Sequence, residues 1–416
     1  MEYISSKNIF LLLRDTLKLI DRRPMDHGSR VGYLFCKMLE CKGGYEQFEL
    51  ADFLMLATLH DIGAYKTDKM GDRLNYEFKE PMPHSIYGFL FLKNISPLSD
   101  LAKMVLYHRV PCGGISISDK KVIEESELLT LAEAAEVYHM ALGEGFDHTM
   151  FRKQEGKFYS KQALDLLDEA EKRFEVFAHL ADESYQKELD NLLEFMIFTN
   201  EDKKKYMEML MFCIGFRSEN VLVDAATTLC ITEQLAYKMQ LDREKREKLY
   251  YGTLLHDIGM LSIPSSIVDA PRKLTDDELQ TMRSHVEREE KILSNRMNSE
   301  IVQIAVAHHE RLDGSGYPKG LKKTQMNMEQ FILQVADVVT GLTCERSYHS
   351  VRTKEQVAEI LFGEASKGRL NDEVVNAFFD SYDEIMQKVS EEVDTVLEKY
   401  HNLNQKYKVV RMKKLK

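Results

Sequence analysis

Six side chains in the second half of the chain have the types and spacing of a metal-binding set. They are His256, Asp257, His285, His308, His309 and Asp337. Neutral imidazole and carboxylate groups are suitable ligands for divalent iron, manganese, nickel and zinc. Two metal ions held close together can activate water and polarise a phosphate for in-line attack. The residue types therefore indicate a metal centre suited to phosphate chemistry.

Two of the six residues, His256 and Asp257, are adjacent in the sequence. Consecutive helix residues point ~100° apart, so both can contact one ion that lies in the wedge between them. The short carboxylate of Asp257 can also bridge to a second ion. Gly259 follows closely and permits the helix to end or bend beside the pair. This arrangement favours a binuclear site.

The first half of the chain repeats the same order of residues. Residues 59–63 and 255–259 both have the sequence Leu-His-Asp-Ile-Gly. In each half a lone histidine follows, then after an equal interval another histidine, and then an acidic residue in an apolar stretch. In the first half these residues are His84, His108 and Glu133. An internal duplication explains this order better than coincidence does.

The elements that must position these residues are predicted to be helices. Apolar residues recur at three- and four-residue spacing, for example at Leu164, Leu167 and Ala170, and proline is scarce, with 8 residues. No run of alternating strands is evident. The expected fold class is all-α, with tandem helical domains joined by a helical connector.

The expected domain bounds follow from the repeat and from composition. Residues 1–150 form the first domain, 151–205 the connector, 206–400 the second domain and 401–416 a basic tail. Residues 160–205 of the connector are charged, have a helical period and lack glycine and proline, so they are not expected to form a flexible linker.

Composition narrows the classes of partner. The chain has 56 Lys and Arg against 68 Asp and Glu, a formal net charge of −12, which does not favour DNA binding. The six cysteines form no CxxC pair and indicate a reducing compartment, the cytoplasm. The apolar run 9–13 is too short for a signal peptide or membrane span and predicts an amphipathic helix that packs on the core.

One long segment of the second half resembles a known family. Residues 308–318, HHERLDGSGYP, are similar to the HHExxDGxGYP signature of HD-GYP phosphodiesterases. The resemblance extends from about residue 206 to about residue 385 and includes the segments 261–264 and 342–348. It implies tandem HD-type domains and hydrolysis of cyclic di-GMP or 3'3'-cyclic GMP-AMP to a linear dinucleotide, with mononucleotides as further products.

The resemblance also implies a ligand set. His256, Asp257 and Asp337 would hold one metal, with Asp257 bridging to a second. The second metal would be held by the remaining histidines, His285, His308 and His309. Two divalent ions are expected, iron or manganese, with nickel and zinc as alternatives.

Further roles implied by the resemblance concern the substrate. Arg346 is expected to act with His256 and Asp257 in catalysis by contacting a phosphate, because guanidinium matches phosphate oxygens. The other expected substrate-binding residues are Arg311, Asp313, Gly314, Tyr317 and His349.

Three departures from the family pattern bear on activity. Asp224 occupies the position of a usual first histidine and is expected to ligate a metal in its place. Asn220 stands where a trinuclear member carries Glu, which favours two metals over three. Met260 replaces the Lys that follows His-Asp-Ile-Gly, and Arg311, Lys319 or Lys322 are candidates to replace its charge.

The first half resembles an HD domain without the GYP loop. A second metal site is predicted there from His27, His60, Asp61, His84, His108 and Glu133. His27, His60, Asp61 and Glu133 would hold one ion, and His84 and His108 a second, less complete position. Two interpretations are left open: a weak or regulatory metal site, and a duplicated scaffold.

Three functions are carried forward. The first is a cyclic-dinucleotide phosphodiesterase in the cytoplasm, without DNA or membrane partners, acting as a homodimer or with a nucleotide cyclase domain. The second is a catalytically impaired cyclic-dinucleotide receptor or regulatory HD protein, marked by Met260 and Asp224. The third is an HD phosphohydrolase that acts on another nucleotide through the first half.

Overall fold

The regular elements of this protein are helices. A computed structural model describes residues 3–67, 82–344 and 351–414, without the side chains of 412–414. Within these ranges the structure contains helices and two isolated β-bridges but no strand. The expected all-α fold is confirmed.

Twenty α-helices are described along the chain. They are α1 Ser6–Leu17, α2 Arg22–Lys42, α3 Gln47–Thr58, α4 Ala64–Thr67, α5 Pro83–Ile95, α6 Ala102–Tyr107, α7 Lys120–Leu142, α8 Lys161–Phe174, α9 Val176–Ala181, α10 Tyr185–Leu193, α11 Asn200–Ile214, α12 Glu219–Lys238, α13 Arg243–Leu255, α14 Ser265–Val268, α15 Asp276–Leu293, α16 Ser299–Ala305, α17 Met328–Thr343, α18 Lys354–Ser366, α19 Asp372–Asp380 and α20 Tyr382–Lys414. A 3₁₀ turn, Ile258–Ser262, follows α13.

The chain divides into two compact units whose bounds differ from those expected. The first unit comprises Met1–Ile20 and Tyr206–Asn402, and the second comprises Asp21–Lys205 and Leu403–Lys416. The start of the chain therefore groups with the second half. The connector region 151–205 and the last residues group with the first half.

The first unit is built around α12, α13, α16 and α17, which pack on one another. Its main core contains fully buried residues such as Ile231, Ile332 and Phe378. Helix α1 packs against α15 and the 3₁₀ turn, which explains why the apolar run 9–13 is buried. Arg296 of the same unit binds Asp15 at 3.0 Å.

The second unit is built around α2, which packs against α3, α7 and α8. Helix α8 has a polar and an apolar face, and its Leu164, Leu167 and Ala170 are buried. This burial explains why the connector region belongs to the unit rather than bridging two domains. Tyr87 of α5 contacts Tyr407 of α20, with ring centroids 5.5 Å apart, which ties the end of the chain to this unit.

Side-chain caps define the helices that carry the candidate site. Thr275 and Glu278 form a capping box at the start of α15, and Asn327 and Gln330 form one at the start of α17. Such caps satisfy N–H groups that have no partner within the helix.

Among the described residues, no helix is both long enough and apolar enough to cross a membrane.

Candidate metal centre

The six predicted ligands of the first unit lie on, or directly after, four helices: α13, α15, α16 and α17. Helix α13 ends at Leu255, and His256 and Asp257 stand between it and the 3₁₀ turn. His285 lies on α15 and Asp337 on α17. His308 and His309 follow α16 closely. The structure brings all six into one cluster.

Three of the histidines are oriented by the backbone in the same way. The Nδ1 atom lies 2.5 Å from the carbonyl oxygen of Thr253 in His256, 2.7 Å from that of Met282 in His285, and 2.6 Å from that of Ala305 in His308. Each Nδ1–H donates to its carbonyl, so each Nε2 is left as an acceptor. Neutral imidazoles fixed in this way are ready metal ligands.

The two oxygens of Asp257 point toward different histidines. Oδ2 lies 3.4 Å from His256 Nε2, and Oδ1 lies 3.6 Å from His285 Nε2. A carboxylate placed in this way can bridge two ions. The residues present therefore fit a pair of metals.

The other side of the cluster is formed by three imidazoles and Asp337. His285 Nε2 lies 3.2 Å from His308 Nε2, and each of His285, His308 and His309 offers one ligand atom within 4.8 Å of the others. His309 Nδ1 lies 3.3 Å from Asp337 Oδ2. The sequence assigned Asp337 to one metal and His309 to the other. In the structure these two side chains are direct neighbours, and the three histidines group as expected.

Burial and neighbouring charge set the protonation of the cluster. Burial, together with the imidazoles of His309 and His256, holds the pKa of His308 well below its usual value. Burial also lowers the pKa of His285, although Asp257 opposes it. For Asp257, burial acts to raise the pKa, but the surrounding histidines outweigh it and the pKa is lowered. Neutral imidazoles beside ionised carboxylates are the forms that bind metal.

Gly259 allows α15 to approach the turn that carries His256 and Asp257. A Cβ atom at Gly259 would lie 2.0 Å from the carbonyl oxygen of His285, and one at Gly63 in the second unit would lie 2.1 Å from that of His84. The glycine of the repeated motif is therefore required by close backbone contact with the next histidine-bearing helix.

The segment after His309 is a loop anchored by a buried carboxylate. Glu310 is fully buried and accepts the backbone N–H groups of Lys319 at 2.7 Å and Leu321 at 2.8 Å. A Cβ at Gly316 would lie 2.3 Å from the backbone nitrogen of Arg311, so the loop folds tightly on itself. The ring of Tyr317 thereby packs against that of His309, with the centroids 4.8 Å apart and the planes tilted by 34°.

Three predicted substrate-binding residues of this loop do not line the cavity described below. Asp313 is tied to the loop and to Arg369, with 3.1 Å between its Oδ2 and Arg369 Nε, and its hydrogen bonds lower its pKa to about 2. Gly314 adopts a positive φ of 85° in the turn. Arg311 donates to the carbonyl of Glu310, yet its charge contributes to lowering the pKa of Asp337. Arg346 and His349 lie outside the described residues.

A cavity of about 430 Å³ opens on the cluster. Its wall contains Asp257, His285, His309, Asp337 and Tyr317, with Asp224 and Asn220 from α12. Most of the remaining wall is apolar, with Ile267, Val268, Leu274, Leu279 and Met282. A volume of ~300–1,000 Å³ and a mixed lining are typical of small-molecule sites.

Among the described residues, the cations that line this cavity are Arg272 and Lys273 rather than Arg311, Lys319 or Lys322. Met260 lines the wall, and so do Arg272 and Lys273, which precede α15. Arg272 binds Glu278 through two contacts of 2.7 Å. Lys319 binds Glu290 at 2.6 Å instead. No sequence motif singled out Lys273, because an exposed lysine in a loop gives no local signal.

One further buried acid lies beside the cluster. Glu289 follows His285 by one helical turn, and neither of its carboxylate oxygens has a hydrogen-bond partner among the described residues. Burial, with a contribution from Asp257, raises its pKa well above the usual value. Burial therefore favours the neutral form of the Glu289 carboxyl.

The second unit also brings its predicted ligands together. His60, Asp61, His84, His108 and Glu133 are all buried. His60 and Asp61 follow α3, His84 lies on α5, His108 follows α6 and Glu133 lies on α7. Burial lowers the pKa of His60, and lowers that of His108 to about 3. The ligands can be grouped as His27, His60 and Glu133, or as His60, Asp61 and His108.

Two residues near this cluster have partners that the sequence did not indicate. His27 Nδ1 lies 2.5 Å from Glu136 Oε2; burial opposes its protonation, but Glu136 outweighs this and raises the pKa of His27. Arg109 donates to Glu133, with 2.7 Å from its Nε to Oε1. Burial acts to raise the pKa of Glu133, and the charge of Arg109 reverses this and lowers it to about 2.

Comparison with known proteins identifies an HD domain and relatives that are named as phosphodiesterases. Residues 209–374 match the model of the HD domain. The chain is 25% identical over 391 residues to the 3'3'-cGAMP-specific phosphodiesterase 1 of Vibrio cholerae, covering 89% of this chain and 90% of the relative. It is 34% identical to a cyclic di-GMP phosphodiesterase of Thermotoga maritima, over 39% of this chain and 45% of the relative.

Among solved structures, the fold is similar to that of a cyclic GMP-AMP specific phosphodiesterase of V. cholerae. The TM-score is 0.59 at 15% identity, and the match covers 92% of this chain and 98% of that one. The first unit thus contains an HD domain. Its HHERLDGSGYP loop, which lies beside the histidine-aspartate cluster, is similar to the signature of the HD-GYP phosphodiesterases.

Proposed function

We propose that this protein is a metal-dependent phosphodiesterase that hydrolyses a cyclic dinucleotide at the cluster of the first unit. The observation that carries the proposal is the position of Asp257, whose two oxygens lie 3.4 Å from His256 and 3.6 Å from His285. A bridging carboxylate between two sets of ligands is the feature a two-metal hydrolase requires. Bound divalent metals would activate water and polarise the scissile phosphate.

The residues of the chain hold and orient these groups. His256, Asp257 and Asp337 would hold one metal, and His285, His308 and His309 the other. The carbonyl acceptors of Thr253, Met282 and Ala305 fix the tautomer of three of these imidazoles. Asp224 lines the same cavity and is our candidate for an additional ligand. Iron or manganese suits this nitrogen and oxygen set, and nickel and zinc are alternatives.

The cavity supplies complementary surfaces for the rest of a cyclic dinucleotide. Its apolar wall, including Ile267, Leu274 and Met282, suits the faces of bases and sugars. Lys273 brings a positive charge to the same wall and suits a phosphate. Tyr317, which packs against His309, would order the side of the cavity next to the metals. Arg346 and His349 stay predicted phosphate contacts.

The names of two relatives suggest which substrates to test first. The relative matched over 90% of its own length is named for 3'3'-cGAMP, and one matched over 45% of its length is named for cyclic di-GMP. We therefore propose 3'3'-cGAMP as the first substrate to test and cyclic di-GMP as the second. A homodimer, or contact with a nucleotide cyclase domain, stays a prediction.

An impaired receptor is the alternative function, and one observation favours it. Met260 lines the cavity at the position where the family carries Lys. A methionine there cannot neutralise a phosphate or move a proton. A receptor would bind the cyclic dinucleotide in the same cavity and release no product.

The deciding experiment combines metal analysis with product identification. Protein purified without oxygen is assayed with 3'3'-cGAMP and cyclic di-GMP, and its metals are counted. We expect linear dinucleotide from the wild type and loss of product by at least ~100-fold in Asp257→Asn. Asp276→Asn, the same change at an exposed position on α15, is the control and should retain wild-type turnover. A metal-loaded, folded wild type that binds both nucleotides and cleaves neither would establish the receptor instead.

A further inference from the structure

A second cavity, of about 500 Å³, lies within the second unit. Its wall is formed by the end of α7, the turn after α7, α9, the loop that leads into α10, and Arg30 of α2. None of these wall residues is one that the sequence predicted to bind metal or substrate. A volume of ~300–1,000 Å³ and a largely apolar lining with a few polar groups are typical of small-molecule sites.

One wall of this cavity consists of aromatic rings that are packed together. The centroids of Phe146 and Phe177 are 4.7 Å apart, and the ring of His139 lies 5.3 Å from the first and 5.4 Å from the second. His139 and Phe177 are buried, so the wall is part of the core of the unit. A fixed surface of three rings suits a planar ring, which can pack against it edge-on or with an offset face.

The imidazole of His139 adds a hydrogen-bond donor to this wall. Its Nδ1 atom is buried and has no hydrogen-bond partner among the described residues. Burial lowers the pKa of His139, although Glu136 opposes this, so the neutral ring is favoured. An N–H group buried without an acceptor is costly, and the single proton of the neutral ring therefore belongs on Nε2. His139 can thus donate to an oxygen in the cavity.

Arg30 brings a cation to the same cavity and is held in place from one side. Its Nε donates to Glu136 Oε1, and Glu136 Oε2 lies 2.5 Å from His27 Nδ1. Among the described residues, no group accepts a hydrogen bond from the two Nη atoms of Arg30. Its charge also contributes to the lowered pKa of His139, so the two side chains are near neighbours. N–H groups of a fixed guanidinium match the two oxygens of a carboxylate.

Two exposed acids limit the charge of a ligand. Glu144 and Glu183 line the same cavity. A phosphate monoester carries a charge of about −1.5 to −2 at neutral pH, and these acids repel it more strongly than they repel a single negative charge. The wall therefore favours a carboxylate over a phosphate.

We propose that the second unit binds a small aromatic monocarboxylate in this cavity, with its ring against His139, Phe146 and Phe177 and its carboxylate accepting from Arg30 and His139. The ligand is bound without being cleaved, because none of the candidate metal ligands lines the cavity. Binding does not depend on the proposed hydrolysis in the first unit.

A set of matched probes tests the chemical class on the full-length protein. Isothermal titration should give a Kd on the order of 0.1–1 mM for 1-naphthylacetate. The uncharged 1-naphthylacetamide and the more highly charged 1-naphthylmethylphosphonate should each bind at least ~5-fold more weakly. Equal or tighter binding of the amide would show that the cavity does not recognise a carboxylate. Equal or tighter binding of the phosphonate would assign the cavity to phosphates and overturn the proposal.

Three variants locate the probe in the cavity. Arg30→Met should weaken binding of 1-naphthylacetate at least ~10-fold, and His139→Phe, which keeps a ring, about 3-fold. Ala181→Phe places a ring in the cavity from an exposed position at the end of α9 and should abolish binding without touching Arg30 or Glu136. Arg173→Met, at an exposed arginine of α8 that binds Glu169, is the control and should bind as the wild type does. Circular dichroism verifies that each variant is folded.

A variant of the first unit excludes binding at the other cavity. Lys273→Met should leave the Kd of 1-naphthylacetate unchanged, because Lys273 lines the cavity of the first unit and not this one. Loss of binding in Lys273→Met, or wild-type binding in folded Ala181→Phe and Arg30→Met, would overturn the proposal. Neither outcome would bear on hydrolysis of a cyclic dinucleotide, which is measured separately.

Discussion

The Nε2 atoms of His285 and His308 face each other across 3.2 Å in the buried part of the first unit. Each ring donates its Nδ1–H to a backbone carbonyl, of Met282 and of Ala305 respectively. Two acceptor lone pairs therefore point at each other, which is unfavourable in a buried site. A cation between them removes this conflict.

The first prediction is that metal stabilises the first unit through this pair. Saturation at 100-fold over Kd adds about 2.7 kcal/mol to the free energy of unfolding. We expect His308→Gln to lose at least about half of the thermal shift that Mn²⁺ gives the wild type. Differential scanning fluorimetry with and without Mn²⁺ measures the shift. His401→Gln, at an exposed histidine bound to Glu219, should retain it in full.

The second prediction concerns the glycine of the repeated motif. In Gly259→Ala the added Cβ would meet the carbonyl oxygen of His285 at 2.0 Å, so α15 or the 3₁₀ turn must move. We expect a loss of about 1–3 kcal/mol in stability and a fall in hydrolysis of at least ~100-fold, because small displacements of catalytic groups are costly. Denaturant unfolding and steady-state assays measure the two effects.

Gly363→Ala provides the matched control for that change. Nothing lies within 4 Å of a Cβ at this helical glycine. Alanine there should be neutral or stabilising by about 0.5–1 kcal/mol. Equal activity of the two alanine variants would show that the close approach at Gly259 is not needed.

The clustering of the candidate metal ligands was the most predictable feature of the protein. His256, Asp257 and His309 were named from residue type and order, and the structure brings them together with the other ligands. Their chemistry limits the residue types that can occupy these positions, and the helical period limits the spacing. The all-α class was predictable for the same reason, since periodicity is a local property.

Features that depend on distant contacts were not predictable. The pairing of Arg109 with Glu133 joins two helical segments, and neither residue indicates the other in the sequence. Helix α1 was assigned to the first half because of its position in the chain, yet it packs with α15. An apolar stretch reveals that it will be buried but not which surface will cover it.

The third prediction is a pH dependence that originates at Glu289. Its pKa is raised in the folded protein, so above the unfolded value of ~4.3 the unfolded chain releases a proton that the folded chain keeps. The contribution of Glu289 to the free energy of unfolding is therefore largest at low pH and decreases as the pH rises. We expect the stability of Glu289→Gln relative to the wild type to increase progressively as the pH rises above ~4.3.

Denaturant unfolding of both proteins at several pH values measures this difference. Glu290→Gln, the neighbouring change at a carboxylate that binds Lys319, should not show the same rising gain. A constant difference between Glu289→Gln and the wild type across the range would mean that Glu289 ionises normally.

The fourth prediction assigns substrate attraction to Lys273, which lines the cavity and is exposed. Met260 supplies no charge at the family's lysine position, so removal of Lys273 should weaken binding of a doubly charged dinucleotide. We expect Lys273→Met to raise KM about 10-fold, equivalent to about 1.4 kcal/mol, with a smaller effect on kcat.

The effect of Lys273→Met on KM should shrink at high ionic strength, because salt screens exposed charges. Steady-state kinetics at low and high salt test this, with Lys323→Met, an exposed lysine that does not line the cavity, as the control. A fall in kcat without a change in KM would instead assign Lys273 to the chemical step.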